Sequence, residues 1–299
     1  MSRIRKAVIP AAGLGTRLYP ATRAVKKELF PVVGPDGVAK PVIQHIIEEA
    51  LSAGVEEVCL IVRAGDEQIF RRYFADPLPA DLDGRLSQLP QAVKQTEHLR
   101  AIADRLHFAV QETQEGFGHA VFCARAFVGA EPFLLLLGDH LYRSATSRTC
   151  AQQVVDAFTH TDASVLAAHR VPESAIHAIG VMAGAPDAQN DRLYRLHAIA
   201  EKPATDYARG HLRTRDLPDG WYLGIYGQYA LAAAVFDHLQ FLIAHDHRER
   251  GEIQLTSALK RLLDHEPVWA YEVDGRSFDM GRPLEYAHTV AAYAGLIAA

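Results

Sequence analysis

The sequence predicts an α/β fold built around a parallel sheet, and three observations carry this prediction. Residues 5–62 read as a strand, a helix and a second strand, the unit that builds parallel sheets. The run FLLLL at 133–137 is continuously apolar, as a strand buried on both faces should be. Gly13, Gln111 and Asp139 each stand at or just after the end of a different predicted strand. Because ligands of such sheets bind beyond the carboxyl ends of the strands, we expect these three residues to meet at one edge.

The elements of the first half follow in order along the chain. A first strand is predicted at 5–10, followed directly by a glycine-rich turn. A helix opens near Pro41 with apolar residues at helical spacing, and Gly54 is placed to end it. Further strands are predicted at 57–62, 107–111 and 133–137, with a helix from His119 before the last of them.

The second half has a more mixed pattern. Strand-like sequence is found at 163–171, 192–203 and 222–231, the last of which is interrupted by glycine. Two helices are predicted at 229–245 and 252–266, then a strand at 267–273 and a helix from about Pro283. No linker rich in Pro, Gly or Ser and no internal repeat divides the chain, so we expect one continuous domain.

Composition and charge narrow the classes of function. The 299 residues are 49% hydrophobic, and the net charge of −5 with no long basic run gives no electrostatic support for nucleic-acid binding. No apolar run approaches the roughly 18 residues of a membrane span, and the N-terminal sequence does not read as a signal peptide. We therefore expect a cytoplasmic protein with no membrane partner. Cys59, Cys123 and Cys150 are unclustered and odd in number, and are interpreted as small buried hydrophobes.

The stretch VIPAAGLGTRLYPATRAVKKELFP at 8–31 opens like a phosphate-binding loop. It matches neither the dinucleotide fingerprint nor the P-loop pattern. Ala12, Gly13 and Gly15 would let backbone N–H groups approach a phosphate chain, and Arg17 and Lys27 would add positive charge, a set that suits a triphosphate. The alternative is a strand-to-helix turn in which the glycines serve only the backbone and the charged side chains are solvated.

Acidic residues suggest where a metal and a sugar phosphate would bind. Asp139 ends a buried strand, where an unpartnered carboxylate carries a large desolvation penalty. Mg²⁺ would relieve this penalty, since it is held by one or two carboxylates plus substrate phosphates, and Asp279 is a candidate second ligand. Alternatively, both aspartates cap turns. Glu201 and Lys202 place opposite charges before a turn, which suits a sugar hydroxyl and a sugar phosphate or an ordinary surface turn.

The order of these motifs resembles that of the sugar-nucleotide pyrophosphorylases, most closely the bacterial UTP:glucose-1-phosphate uridylyltransferases, over nearly the whole chain. The most specific piece is KAVIPAAGLGTRLYPATRAVKKELFPVV, and it is supported by KPVIQHIIEEALSAGVEEVCLIV, VQETQEGFGHAVFCA, AIGVM, EKP, GEIQLTSAL and SFDMGRPLEY in that order. The resemblance implies a Rossmann-like fold, a mixed and mainly parallel sheet flanked by helices. It also implies a single nucleotidyltransferase domain over 1–299, with a nucleotide-binding part at about 1–150 and a sugar-binding part at about 151–299.

The resemblance further implies the reaction and the residues that serve it. The reaction is the Mg²⁺-dependent transfer of a uridylyl group from UTP to glucose 1-phosphate, giving UDP-glucose and pyrophosphate. Relatives commonly form homo-oligomers, so a dimer or tetramer is expected. The implied site residues are Ala12, Gly13 and Gly15 for the triphosphate, Arg17 and Lys27 for catalysis, Gln111 and Gly116 for the uracil, Asp139 and Asp279 for Mg²⁺, and Gly180, Glu201 and Lys202 for the sugar phosphate.

Three departures from the family pattern leave alternatives open. The segment 34–39 lengthens a loop near the presumed site, Gly138-Asp139-His140 replaces the usual Pro-Asp-Val, and Tyr222 stands where asparagine is usual. A thymidylyltransferase, or another pyrophosphorylase for a different nucleotide or sugar 1-phosphate, is therefore an alternative. So is a non-catalytic regulatory protein that binds sugar nucleotides, although the retention of Arg17, Lys27 and Asp139 argues against it.

Overall fold

The computed structural model describes residues 3–297, and this range contains thirteen strands and twelve α-helices. The strands are β1 (Lys6–Pro10), β2 (Pro31–Val33), β3 (Ala39–Pro41), β4 (Glu57–Arg63), β5 (Leu106–Gln111), β6 (Phe133–Leu136), β7 (His140–Ser144), β8 (Ser164–Pro172), β9 (Gly180–Pro186), β10 (Leu193–Glu201), β11 (Trp221–Leu231), β12 (Val268–Glu272) and β13 (Gly275–Asp279). The helices are α1 (Ala21–Ala24), α2 (Val42–Ser52), α3 (Glu67–Phe74), α4 (Ala80–Leu86), α5 (Pro90–Ala103), α6 (Phe117–Cys123), α7 (Arg125–Val128), α8 (Cys150–Thr161), α9 (Thr205–His211), α10 (Val235–Ala244), α11 (Leu255–Leu263) and α12 (Pro283–Tyr293). None of these twelve helices is both long and apolar enough to cross a membrane.

Nine strands form one mixed sheet in the order β5-β4-β1-β6-β11-β8-β12-β10-β9. The strands from β5 to β6 pair in parallel, as the alternation of strands and helices in the first half predicts. From β6 onward the pairings are antiparallel, except that β8 and β12 are parallel. The predicted mixed α/β sheet is confirmed, and its parallel part is the part contributed by the first half of the chain.

Hydrophobic cores lie on both faces of the sheet because successive strand residues point to opposite sides. Leu60 and Leu134 belong to the core covered by α2 and α8, while their neighbours Cys59 and Leu135 belong to the core covered by α6, α10 and α11. A third, smaller core lies under the 3₁₀ helix Glu173–Ala178 and α9, and it includes Tyr222. Burial on both faces explains why β1, β4 and β6 read as continuous apolar runs.

The cysteines are free, as expected, and Cys59 and Cys150 are buried, whereas Cys123 is only half-buried.

The sequence misplaced some element boundaries. The helix predicted at 229–245 begins only at Val235, because residues 229–231 continue β11 and pair with β6. The helix predicted from Glu252 begins at Leu255, and the helix predicted from His119 begins at Phe117 and breaks at Ala124. In each case, tertiary pairing or loop contacts override the apolar spacing on which the prediction rested.

Two small ribbons complete the fold. Strands β2 and β3 form a hairpin whose turn is 34–38, so the 34–39 segment is this turn and the first residue of β3, and an ion pair between Asp36 and Lys40 closes it. Strands β7 and β13 form a second ribbon, in which Asp279 lies directly across from His140. This second ribbon brings residues far apart in sequence to the end of β6.

Candidate active site

A cavity of about 440 Å³ lies beyond the carboxyl ends of β1, β5 and β6, and we call it the first cavity. Gly13, Gln111 and Asp139 all line it, so the three strand-end residues meet at one edge of the sheet as their positions predict. The predicted nucleotide and catalytic residues that line it are Ala12, Gly13, Gly15, Arg17, Lys27, Gln111, Gly116 and Asp139.

The glycine-rich loop after β1 forms one wall of the first cavity. Gly15 has φ +65°, a left-handed conformation that glycine adopts without steric cost. A Cβ at Gly15 would lie 2.8 Å from Thr22 Cγ2, and the Thr22 hydroxyl donates to the Gly15 carbonyl at 3.1 Å. A Cβ at Gly13 would lie 3.6 Å from Lys27 Nζ. The backbone of the loop therefore lies close to the Lys27 ammonium group, so that backbone N–H groups and the ammonium can contact the same phosphate chain.

Lys27 and Asp139 form an ion pair at the centre of this cavity. Lys27 Nζ lies 2.6 Å from Asp139 Oδ2, and both side chains are largely buried. Burial opposes the charge on Lys27, but Asp139 and Glu28 together outweigh it and raise the pKa of the lysine. Burial likewise opposes the charge on Asp139, but His140 and Lys27 together hold the pKa of this carboxyl well below its usual range. Both groups are therefore charged at neutral pH.

Glu28 is a second acid beside Lys27, and the sequence did not single it out. Its side chain is 1% exposed, and Oε2 has no hydrogen-bond partner. Burial raises the pKa of Glu28 to about 7, against the opposing effect of Lys27 and Lys26. Its position within KKELFP, between two lysines and an apolar run, is the signal that could have identified it.

Gln111 is held in a defined orientation at the end of β5. Its amide nitrogen lies 3.3 Å from the Gly116 carbonyl and 3.1 Å from His119 Nδ1. Gly116 has φ +120°, and a Cβ there would lie 2.7 Å from the Ile253 carbonyl. The close approach of segment 252–254 therefore requires glycine at 116 and fixes the wall that faces Gln111.

Asp139 and Asp279, the predicted metal ligands, are brought together by the β7–β13 ribbon. Among residues 3–297, one group of three ligand-type side chains has ligand atoms within 4.8 Å of one another, and it consists of Asp139, His140 and Asp279. His140 Nδ1 lies 3.1 Å from Asp139 Oδ1. Gly281, which follows Asp279, donates its N–H to Asp279 Oδ1 at 2.6 Å and lines the first cavity. Asp139 therefore lines the first cavity, whereas Asp279 does not line it and reaches its wall only through the hydrogen bond from Gly281.

Two of the three predicted sugar-phosphate residues, Glu201 and Lys202, line a second cavity of about 440 Å³. Glu201 Oε2 accepts a hydrogen bond from the Thr256 hydroxyl at 2.8 Å and lies 3.3 Å from where a Cβ of Gly180 would be. Lys202 Nζ lies 3.5 Å from Glu201 Oε1. The structure thus brings Gly180, Glu201 and Lys202 together, but the last two line this second cavity and not the first.

Residues 249–257 border both cavities. Glu252 lines the first cavity, while Arg250 and Thr256 line the second. Arg250 has φ +56°, which is uncommon outside glycine, and its Nη2 donates to the Lys202 carbonyl at 2.8 Å. The sequence pattern GEIQLT resembles an ordinary helix start and gave no indication of this bridging position.

Two of the three departures from the family pattern lie away from both cavities. Tyr222 is buried in the third core, and its hydroxyl donates to Glu173 Oε2 at 3.2 Å. The residues described as lining either cavity include neither Tyr222 nor any of 34–39. The third departure, His140, is the one that lies beside the predicted metal ligands.

Comparisons with known proteins identify a family, related sequences and similar structures for this chain. Residues 6–294 match the family described as nucleotidyl transferase. A relative from Bacillus subtilis (strain 168), named UTP--glucose-1-phosphate uridylyltransferase, is 34% identical over 98% of this chain and 92% of its own length. A UTP-bound UGPase from Acinetobacter baumannii superposes with a TM-score of 0.77 at 27% identity, covering 97% of this chain and 93% of that one. A UDP-glucose pyrophosphorylase complexed with UDP-glucose superposes with a TM-score of 0.76 at 26% identity, covering 98% and 99%.

Proposed function

The chain belongs to the nucleotidyl transferase family, and from this membership we propose that it transfers a uridylyl group from UTP to glucose 1-phosphate, giving UDP-glucose and pyrophosphate. The observation that carries the proposal is the first cavity, where a glycine-rich loop lies beneath Lys27 and beside Asp139. The relatives named for UTP and UDP-glucose support this choice of substrates.

The triphosphate would bind along the loop at Ala12, Gly13 and Gly15. Backbone N–H groups can approach its oxygens there because no long side chain intervenes. Arg17 and Lys27, both in the cavity wall, supply the positive charge that a triphosphate requires. Because the Gln111 nitrogen is already directed at Gly116 and His119, its carbonyl oxygen is the atom suited to accept the N3–H of uracil.

The sugar 1-phosphate would bind in the second cavity at Glu201 and Lys202, with Gly180 paired to Glu201 in the neighbouring strand. The Glu201 carboxylate, fixed by Thr256, is suited to accept hydrogen bonds from sugar hydroxyls, and Lys202 is suited to the phosphate. Segment 249–257 borders both cavities and would therefore contact both substrates, whose reacting phosphates must meet for the transfer to occur.

The reaction follows as an in-line displacement without a covalent enzyme intermediate. A phosphate oxygen of the sugar 1-phosphate attacks the α-phosphorus of UTP, and the bond to the β-phosphate breaks as pyrophosphate leaves. No general base is needed because the attacking oxygen is already ionised. The protein's task is to reduce repulsion between two anions and to stabilise the charge that develops, which Arg17, Lys27 and Lys202 can do by position and charge.

The donor set at the end of β6 fits a divalent cation. Two carboxylates, Asp139 and Asp279, have ligand atoms within 4.8 Å of each other, and carboxylate oxygens are the ligands such an ion prefers. We assign this ion as Mg²⁺, held by Asp139 and Asp279. When bound, it would neutralise charge on the nucleotide phosphates.

A homo-oligomer, a dimer or tetramer, is also proposed from the family. Leu284 and Leu296, at and beyond α12, are 85% and 78% exposed, which is consistent with apolar surface covered by another subunit. Light scattering coupled to gel filtration measures the state directly.

The proposal is tested by measuring pyrophosphate release over a matrix of substrates. UTP, dTTP, ATP, CTP and GTP are each paired with glucose, galactose and N-acetylglucosamine 1-phosphates, with Mg²⁺ and with a chelator. The expected result is a clear maximum for UTP with glucose 1-phosphate that chelation abolishes. A maximum at another pair would reassign the substrates, and the absence of turnover with every pair would favour a binding protein.

A further inference from the structure

We propose that His140 is a third protein ligand of the divalent cation, beside Asp139 and Asp279, and that the site consequently binds Mn²⁺ and Co²⁺ more tightly relative to Mg²⁺ than two carboxylates alone would. This inference rests on the proposed function, because it assumes the cation of the uridylyl-transfer site. It goes beyond that function in naming a nitrogen ligand and a metal preference.

The separations of the ligand atoms come close to those of a common coordination sphere. Ligands about 2.1 Å from an octahedral ion lie about 3 Å apart when adjacent and about 4.2 Å apart when opposite. The ligand atoms of Asp139, His140 and Asp279 all lie within 4.8 Å of one another, and His140 Nδ1 is 3.1 Å from Asp139 Oδ1. The three groups need little movement to enclose one ion.

The backbone places His140 and Asp279 on the same face. They are directly opposite in the antiparallel β7–β13 ladder, and side chains at paired positions project to the same side of a sheet. The Met280 N–H donates to the Asp139 carbonyl at 3.0 Å, which ties the two chain segments together at this point. The imidazole is only 22% exposed, so it is held against the carboxylates by the surrounding structure.

The chemistry of the donors determines the metal preference. Mg²⁺ is a hard ion that takes oxygen ligands, whereas imidazole suits the first-row transition ions. Mn²⁺ and Co²⁺ accept mixed oxygen and nitrogen ligands, and their affinity for such sites rises along the series from Mn²⁺ to Co²⁺. Replacing one water by an imidazole should therefore raise the affinity for these ions more than the affinity for Mg²⁺.

The competing interpretation is that His140 acts only as a hydrogen-bond donor to Asp139. In that arrangement the ring would orient the carboxylate without touching the ion, and no nitrogen would be coupled to a bound metal. The two arrangements differ in a spectroscopic property that does not depend on turnover.

The experiment is pulsed EPR of Mn²⁺ bound to the full-length protein in the presence of UTP. The expected result is a coupling from directly bound ¹⁴N that changes to the ¹⁵N pattern when the protein is labelled with ¹⁵N-histidine. His140→Gln should abolish this coupling and weaken Mn²⁺ binding more than Mg²⁺ binding. His169→Gln is the matched control, since His169 is another partly buried histidine of the sheet, and it should keep the coupling.

The outcomes separate this inference from the proposed function. Mn²⁺ bound to an active enzyme without nitrogen coupling would overturn the ligation by His140 and leave uridylyl transfer intact. An unchanged Mn²⁺ to Mg²⁺ affinity ratio in His140→Gln would also overturn it. Asp139→Asn identifies the site, because loss of Mn²⁺ binding in that variant shows that the measured ion is the one at Asp139.

Discussion

Lys27 is the residue on which the electrostatics of the first cavity depend. Its ammonium lies 2.6 Å from Asp139, and its charge also acts on the buried Glu28. A phosphate chain on the glycine-rich loop would lie within reach of the same ammonium, because the position of a Cβ on Gly13 is 3.6 Å from Nζ. Lys27 therefore pairs with the Asp139 carboxylate in the free protein and would pair with phosphates when UTP is bound.

Lys27→Ala should lower kcat for uridylyl transfer by about 10²- to 10³-fold, the range found when one preorganised donor to a transition state is removed. Steady-state rates with UTP, glucose 1-phosphate and Mg²⁺ measure this. Lys26→Ala is the matched control, because Lys26 is equally buried and forms a 2.6 Å ion pair with Asp66 instead. Equal losses of kcat in the two variants would assign the effect to a lost buried ion pair and not to catalysis.

Glu28 should make stability depend on pH. Its pKa in the folded protein is about 7, above the ordinary 4.5, so the folded state binds more protons than the unfolded state between these values. The free energy of unfolding therefore falls as pH rises from about 4.5 to 7, by about 3 kcal/mol for a shift of this size.

Glu28→Gln should remove that dependence. Urea denaturation at pH 8 is expected to find the variant more stable than the parent by up to about 3 kcal/mol, and at pH 5 to find the two nearly equal. Glu97→Gln, on the exposed surface of α5, should show no difference that grows with pH. A stability difference for Glu28→Gln that is the same at both pH values would contradict the raised pKa.

At the scale of elements, segment 249–257, which borders both cavities, positions the sugar site. Arg250 Nη2 donates a hydrogen bond to the Lys202 carbonyl at 2.8 Å. Both residues have positive φ, +56° for Arg250 and +43° for Lys202. Left-handed backbone costs a non-glycine residue about 1–2 kcal/mol. The contact between two such residues therefore fixes a turn that neither would adopt alone.

Arg250→Gly separates the side chain from the backbone. Glycine adopts φ +56° freely, so the free energy of unfolding should stay the same or rise. Loss of the hydrogen bond to Lys202 should raise KM for glucose 1-phosphate by about tenfold, the equivalent of 1.4 kcal/mol, with KM for UTP unchanged. Asp216→Gly, at another exposed non-glycine residue with φ +71°, should change neither constant. Parallel increases in both KM values would point to a general structural defect.

The sequence predicted elements well where local pattern and tertiary role agree. β1, β4 and β6 are buried on both faces, so their apolar runs identify them, and the glycine-rich loop follows from Gly13 and Gly15. At residues 229–231 the predicted strand 222–231 is confirmed and the overlapping helix prediction is wrong, because these residues pair with β6. The position of Arg250 was not predictable, because it depends on a hydrogen bond to Lys202, about 50 residues away. The position of His140 was not predictable either, because it depends on pairing with Asp279, about 140 residues away.

At the scale of the whole molecule, the two halves share one sheet and the two larger hydrophobic cores. β11 pairs with β6 through Tyr229 and Leu135, which joins the parallel part of the sheet to the antiparallel part. α2 and α8 are also linked across the halves, since Gln152 donates to the Ser52 carbonyl at 2.6 Å and the Ala151 N–H donates to Glu49 at 2.7 Å. We therefore propose that the nucleotide and sugar parts form a single cooperative domain.

A single domain should unfold in one transition, whichever half is observed. Trp221 and Trp269 lie in β11 and β12, so tryptophan fluorescence reports on the second half, whereas Cys59 is fully buried in β4 of the first half. Urea titration followed by fluorescence, and by pulse labelling of Cys59 with a thiol reagent and mass spectrometry, should give the same midpoint. Labelling of Cys150, buried in α8, gives a second-half value by the same chemistry. If Cys150 becomes reactive at lower urea than Cys59, the sugar part unfolds separately, and the shared sheet does not make the halves one unit.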